Sequence, residues 1–303
     1  MGARSFAATL ILLLAARAMA QQSSAAAAGG AEDLQKATQN PVASLISVPI
    51  QNNSNFGIGP YDRTQNVLNI QPVIPLKMSE CCNLIIRWIA PIIYQPAPGT
   101  ANLEVYGINE NTPAYFAAQA VQANAGVSGF GDMTPTLFLS PAKPHKLILG
   151  VGPVFVLPTA TSKVLGQGKL SMGPSVVALM QPGHWTLGAL VNNAWSVAGP
   201  SDRSSVNQMS LQYFINYNLQ KGWYLSAAPI ITANWRASSG NVGTVPFGGG
   251  VGRVMRLGFQ PVNISAQFYG NAKYPTSGSP WTMRLSIAFL FPKMPKSAGA
   301  ATK

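Results

Sequence analysis

Polar side chains recur at every second position along several segments of this chain. They share one face if the chain is extended, because successive side chains of a strand point to opposite sides. In 209–219 the polar face carries Gln212 and Asn216, opposite Met209, Leu211, Ile215 and Leu219, with Phe214 standing among the polar residues as the exception. Thr232 and Asn234 are set the same way in 223–235, and Arg236 continues their phase just beyond it. Gln267 occupies the equivalent face of 262–271, and Arg284 and Ser286 that of 281–291. Amides, hydroxyls and guanidinium groups in this pattern form a hydrogen-bonding surface. That surface is the lining of a polar path, and these eight residues are the candidate substrate path.

Covalent chemistry finds little support. Cys81 and Cys82 are the two cysteines of the chain, and they are adjacent. A disulfide between neighbours strains its ring, and two thiols cannot complete a metal site alone. His145 and His184 stand apart from each other in separate short turns or strand ends. A barrel-wall esterase or phospholipase would need a serine bonded to one of them, and no G-x-S-x-G is present. The glycines at 248–252 lack the last glycine of a dinucleotide loop, where Arg253 stands. Residues 166–170 end in Leu170 where a phosphate loop needs Ser or Thr. No catalytic residue, metal ligand or cofactor is predicted.

The runs that position the polar residues are long. A tilted membrane-spanning strand needs roughly 9 to 11 residues, against roughly 5 to 6 for a common soluble strand. Alternating runs fall at 44–58, 64–76, 84–94, 133–140, 147–157, 170–181, 185–197, 209–219, 223–235, 245–258, 262–271 and 281–291. That is about twelve, an even number, as in bacterial single-chain barrels. Short connections at 77–83, 141–146, 182–184, 220–222 and 260–261 alternate with others at 59–63, 95–132, 158–169, 198–205, 237–244 and 272–280. Short periplasmic turns alternating with longer external loops are the pattern of an outer-membrane barrel. The 95–132 connection is the candidate external lid or inward-folded constriction. Residues 44–58, rich in asparagine, are either the first strand or a plug folded into the lumen. Pro72, Pro91, Pro153, Pro174 and Pro229 fall inside proposed strands and call for bulges or strand ends, because proline has no N–H for the ladder.

Composition agrees with a lipid-facing surface: 47% of residues are hydrophobic and 9% charged, where soluble domains carry roughly 25% charged residues. The net charge of +12 is spread. With no basic cluster interleaved with aromatics, no nucleic-acid partner is predicted. Residues 1–20 read as an export signal, with Arg4 before an apolar stretch and Ala18-Met19-Ala20 as the cleavage site. Residues 21–43 read as a disordered or short helical periplasmic lead-in, 44–291 as the barrel and 292–303 as a basic tail. The last run ends in Phe291, which resembles the C-terminal assembly signal of outer-membrane barrels, although the tail follows it.

The text between the strands resembles a family of bacterial outer-membrane proteins associated with the meta-pathway of phenol degradation. The matching stretches are Asn40-Pro-Val-Ala-Ser-Leu-Ile-Ser-Val-Pro-Ile50, Asn55-Phe-Gly-Ile-Gly-Pro60, Gly131-Asp-Met-Thr-Pro-Thr-Leu-Phe-Leu-Ser-Pro141, Gly150-Val-Gly-Pro153, Leu190-Val-Asn-Asn-Ala-Trp195 and Gln212-Tyr-Phe-Ile-Asn-Tyr217. The resemblance implies an outer-membrane transporter taking up aromatic or other hydrophobic compounds, and it supplies no catalytic residue. The expectation is therefore an all-β protein, a closed antiparallel transmembrane barrel with room for an N-terminal plug, partnered by outer-membrane lipid and passing small molecules by diffusion. A structural or adhesion barrel with a closed lumen is the alternative.

Overall fold

The computed structural model describes residues 31–59, 61–96, 126–143, 146–276 and 278–292. The expected export signal, the first part of the lead-in, residues 293–303 of the tail, 97–125 of the candidate lid, and His145 lie outside the described residues. One helix, α1 (Ala31–Thr38), precedes the strands β1 (Ile46–Ile58), β2 (Arg63–Ile70), β3 (Val73–Lys77), β4 (Cys82–Pro96) and β5 (Gly126–Phe130). Then come β6 (Thr134–Pro141), β7 (Leu147–Val156), β8 (Leu170–Met180), β9 (Trp185–Ala198) and β10 (Asn207–Asn218). The last are β11 (Trp223–Ala227), β12 (Ile230–Asn234), β13 (Gly243–Leu257), β14 (Gln260–Lys273) and β15 (Trp281–Phe291). β2 with β3, β5 with β6, and β11 with β12 are halves of single wall strands, so the sheet is a closed antiparallel barrel of 12 strands. β1 pairs with β15 from Ile46↔Phe291 to Phe56↔Trp281 and with β2 on its other side, which makes 46–58 a wall strand. That β1–β15 pairing of first and last strands closes the ring, and the neighbours β9 and β10 are paired from Asn207↔Trp195 to Tyr217↔Trp185.

Alternation decides which way each side chain points. Val151, Leu225 and Phe268 are about half exposed on the outer face, at 50%, 53% and 51%, while their neighbours Val154, Tyr224 and Tyr269 are buried inside. Phe214 breaks the polar pattern of β10 because it points inward, into an apolar cluster with Ile85, Phe138, Val177, Leu179 and Leu190. Strand β4 looks apolar on both faces for the same reason: Ile85 belongs to that inner cluster while its neighbours face out.

Each of the five prolines is accommodated without loss of the barrel. Pro153 and Pro174 lie directly opposite each other, and the β7–β8 ladder runs unbroken through them. The gaps lie on their far sides. β6 and β7 pair only at Thr136↔Val154 and Leu139↔Val151, and β8–β9 pairing skips from Met172↔Trp195 to Ser175↔Asn192. Each proline thus turns its donorless nitrogen away from the other. Pro91 faces the interruption between β5 and β6, where Gly131 N–H bonds the Pro91 carbonyl at 3.0 Å. Pro72 sits between β2 and β3, where Trp88 N–H bonds its carbonyl at 3.0 Å. The Arg87 guanidinium donates to neighbouring Gln71 Oε1 at 2.9 Å. Pro229 interrupts β11 and β12, yet both halves keep one register against β10, from Ile215↔Ala227 to Gln208↔Asn234. Inward and outward faces therefore persist across that break.

The chain before β1 closes one end of the barrel. The 219–222 turn and the start of β9 mark the short-turn end, and α1 sits inside it. Gln35, fully buried, donates from Nε2 to the Trp223 carbonyl at 2.7 Å, and Gln39 Nε2 donates to Asn218 Oδ1 at 2.8 Å. Gln181 Nε2, in the turn after β8, reaches the Lys36 carbonyl at 2.8 Å. Val42 enters the cluster of Phe138 and Phe214, and Leu45 a second one with Tyr224, Val254, Ala288 and Leu290. Burial of each of these aliphatic side chains is worth about 1.5–3 kcal/mol. The plug is thus supplied by the segment ahead of β1, and residues 46–58 are wall.

Candidate functional site

Toward the long-loop end the interior opens into a cavity of about 530 Å³. One wall is built by inward amides of β1, β2 and β4. Thr282 Oγ1 donates to Asn55 Oδ1 at 2.7 Å, Asn55 Nδ2 to Gln65 Oε1 at 2.7 Å, and Gln65 Nε2 to Gln95 Oε1. Below this chain, Asn53 Oδ1 accepts from Arg284 Nε at 2.9 Å and from Gln51 Nε2 at 3.3 Å. The facing wall is less polar, with Pro229 and Ile230 from the strand interrupted at 228–229.

That interruption explains the residues behind the cavity. Pro229 strands the N–H and carbonyl of Ala228, and side chains satisfy both. Tyr269 Oη accepts from Ala228 N–H at 3.2 Å and donates to Gln267 Oε1 at 2.8 Å. Arg284 Nη1 donates to the Ala228 carbonyl at 2.8 Å and, more weakly, to Gln267 Oε1 at 3.5 Å. Gln267 Nε2 completes the network on Ser226 Oγ at 2.9 Å. The Arg284 guanidinium also lies over the Tyr269 ring, 4.9 Å from its centroid, a cation–π contact.

Of the residues nominated by alternation, Thr232 and Arg284 line the cavity, and Gln267 lies against Arg284. Gln212, Asn216 and Ser286 share the inward faces of β10 and β15 with Phe214 and Arg284, and Asn216 is buried. Asn234 reaches the rim, in a smaller cleft of about 310 Å³ with Gln167 and Arg203. Arg236 stands exposed in the turn after β12, its N–H bonded to Asn234 Oδ1 at 3.1 Å, so it does not extend the lumen face. The alternation ends at Asn234, where the strand ends. The amides Gln51, Asn53, Asn55 and Gln65 were not nominated, although their alternation within an asparagine-rich run is the signal that points to them.

The cysteine pair lies at the short-turn end, Cys81 in the turn between β3 and β4 and Cys82 at the start of β4. Cys81 is exposed, with its sulfur 2.9 Å from that of Cys82 and 3.1 Å from Ser79 Oγ. The Cys82 thiol and then the Ser79 hydroxyl hold the Cys81 thiol below its usual range. His184 lies at the short-turn rim, its ring tilted on Tyr217 at 6.0 Å.

The fold and this interior define a closed, internally plugged β-barrel with an apolar outer face. No family model matches the chain, and no curated protein matches it in sequence. Among solved structures it is similar to an outer membrane channel from Pseudomonas putida F1. The TM-score is 0.58 at 14% identity, over 82% of this chain and 94% of that one. A NanC porin (TM-score 0.46, 8% identity, 80% of this chain and 98% of that one) and the CymD monoaromatic hydrocarbon channel (0.43, 12%, 90% and 95%) are more distant. The shared property is the barrel fold.

Proposed function

We propose that the chain is an outer-membrane channel for small aromatic or hydrophobic compounds, which cross by passive diffusion once the N-terminal segment yields. The observation that carries the reading is the arrangement of the interior. A cavity of about 530 Å³ at the long-loop end is followed by apolar clusters, into which Val42 and Leu45 insert from a segment that is not itself part of the wall. A route obstructed by a segment outside the wall is the architecture of a gated path, and apolar linings below a polar mouth favour apolar solutes. The name of the Pseudomonas putida barrel and the resemblance to the phenol meta-pathway family support the same role. Export by residues 1–20 and residence in outer-membrane lipid belong to this proposal.

The packed interior itself favours a second reading, a structural or adhesion barrel that never opens. Liposome uptake and planar-bilayer conductance separate the two. In the full chain, Val42→Asn together with Leu45→Asn weakens the hold of the segment on both clusters. The expected outcome is a higher conductance than the wild type and faster entry of phenol than of sucrose. Exclusion of both solutes by both proteins defeats the channel and leaves the closed barrel.

A further inference from the structure

The geometry points to an anion site on the floor of the long-loop cavity, selective for small monocarboxylates with an apolar body, with Arg284 as the group that holds the carboxylate. The inference names a substrate class for the proposed channel and rests on that reading for its route.

Arg284 is 8% exposed and lines the cavity. Among the described residues its partners are all neutral: the Asn53 amide, the Ala228 carbonyl, the Gln267 amide and the Tyr269 ring. No residue lining the cavity is acidic among the described residues. A buried cation is costly unless it is paired, and carbonyl oxygens compensate it only in part. Arg284 Nη2 has no hydrogen-bond partner among the described residues, and Nη1 spends one contact on the long 3.5 Å approach to Gln267. The Nη1–Nη2 edge is therefore the edge that a carboxylate can engage, and a fork of two parallel N–H bonds there displaces only that weakest contact.

The rest of the chamber selects the body of the ligand. Asn69 and Thr232 line it as further hydrogen-bonding groups, while Ile58, Val67, Pro229 and Ile230 give it apolar wall. At about 530 Å³ it falls within the size range of small-molecule sites, roughly 300–1,000 Å³. A polar floor with one cation that no acidic lining residue faces, beneath an apolar wall, complements a carboxylate on a ring or a short hydrocarbon, such as benzoate.

The test titrates purified full-length protein in detergent, at neutral pH, with sodium benzoate and separately with benzyl alcohol, by calorimetry. The wild type is expected to bind benzoate about tenfold or more tightly than the neutral alcohol, the scale of one charge-assisted hydrogen bond. Arg284→Gln removes that preference, but this arginine also supports the wall. Asn53→Asp keeps the acceptor for Arg284 Nε and supplies a counter-charge from within, so it is expected to abolish the preference with the barrel intact by circular dichroism. Equal wild-type affinity for both compounds, or an undiminished preference in Asn53→Asp, overturns the site. Benzoate uptake into liposomes distinguishes the two proposals: selective binding without uptake keeps the site and defeats the channel, and uptake without selective binding does the reverse.

Discussion

At Pro229 the barrel wall lacks a donor, and what the wall loses is returned by two side chains from inside. Tyr269, 1% exposed, accepts the Ala228 N–H on its hydroxyl and donates that hydroxyl's own O–H to Gln267 Oε1. Tyr269→Phe keeps the ring under Arg284 but leaves a backbone N–H and an amide oxygen short of a partner. The expected loss is about 1–3 kcal/mol, the cost of an unsatisfied buried group. Tyr217→Phe on the outer rim, where the ring contacts Trp185 at 4.7 Å, is expected to change stability by less than about 0.5 kcal/mol. Denaturant unfolding followed by tryptophan fluorescence measures both, and equal effects would show that the hydroxyl does not support the break. Little of this network was legible beforehand. Gln267 and Arg284 stand out by phase, but Tyr269 reads as one more aromatic residue, and nothing local says that its hydroxyl accepts from the N–H of Ala228, some forty positions away.

Strands β6 and β7 are held close by what β7 lacks. A Cβ on Gly152 would lie 1.9 Å from the Leu137 carbonyl oxygen, a backbone atom that moves only if the strands part. Their ladder is already sparse because of Pro153, so separation there cannot be spread over neighbouring bonds. Gly152→Ala is expected to cost about 1–3 kcal/mol, the range for overpacking a close-packed contact. Gly270→Ala meets only the Phe247 ring at 3.1 Å, which can turn aside, and is expected to cost less. Thermal melts of the two variants check the order, and a reversed order would show that β6 and β7 are not tightly held at Gly152. Strand existence was legible in the sequence because a wall strand carries its period over its whole length. Strand β5 was missed. Its register, Ile92↔Phe130, continued without a shift would pair Ile89 with Met133, yet Ile89 pairs with Thr134. One extra residue at 131–133 flips the faces, and the alternation that identifies β6 cannot be carried back through it. The N-terminal plug was anticipated as a device but not in place, since a short segment such as 39–45 has no period that distinguishes lumen packing from a turn.

Seen whole, the barrel places two aromatic rims on one apolar band. Trp185, Tyr217 and Trp223 mark the short-turn rim, with Arg253 over the Trp223 ring at 5.0 Å. Phe56, stacked on Trp281 at 4.0 Å, marks the other, with Trp195 on the same side. From Trp185 to Trp195 along β9 the chain spans about 33 Å, which becomes about 25 Å at a strand tilt near 40°, the height of an outer-membrane apolar band. Between the rims Val151 pairs with Val176, and Val176 with Val191, so a row of outward valines sits at mid-height. If lipid covers this face, the cost of a charge must depend on depth. Val151→Arg places a guanidinium at the midplane and is expected to cost about 2–4 kcal/mol in a bilayer. Leu147→Arg, at the short-turn end of the same strand and face, lets the cation reach the headgroups and is expected to cost about 0–1 kcal/mol. Both positions are similarly exposed, at 50% and 47%, so burial within the protein does not separate them. Reversible unfolding from phospholipid vesicles in denaturant measures the difference. If Val151→Arg costs no more than Leu147→Arg, the band is not the lipid-facing belt of a spanning barrel, and the membrane reading of the fold fails with it.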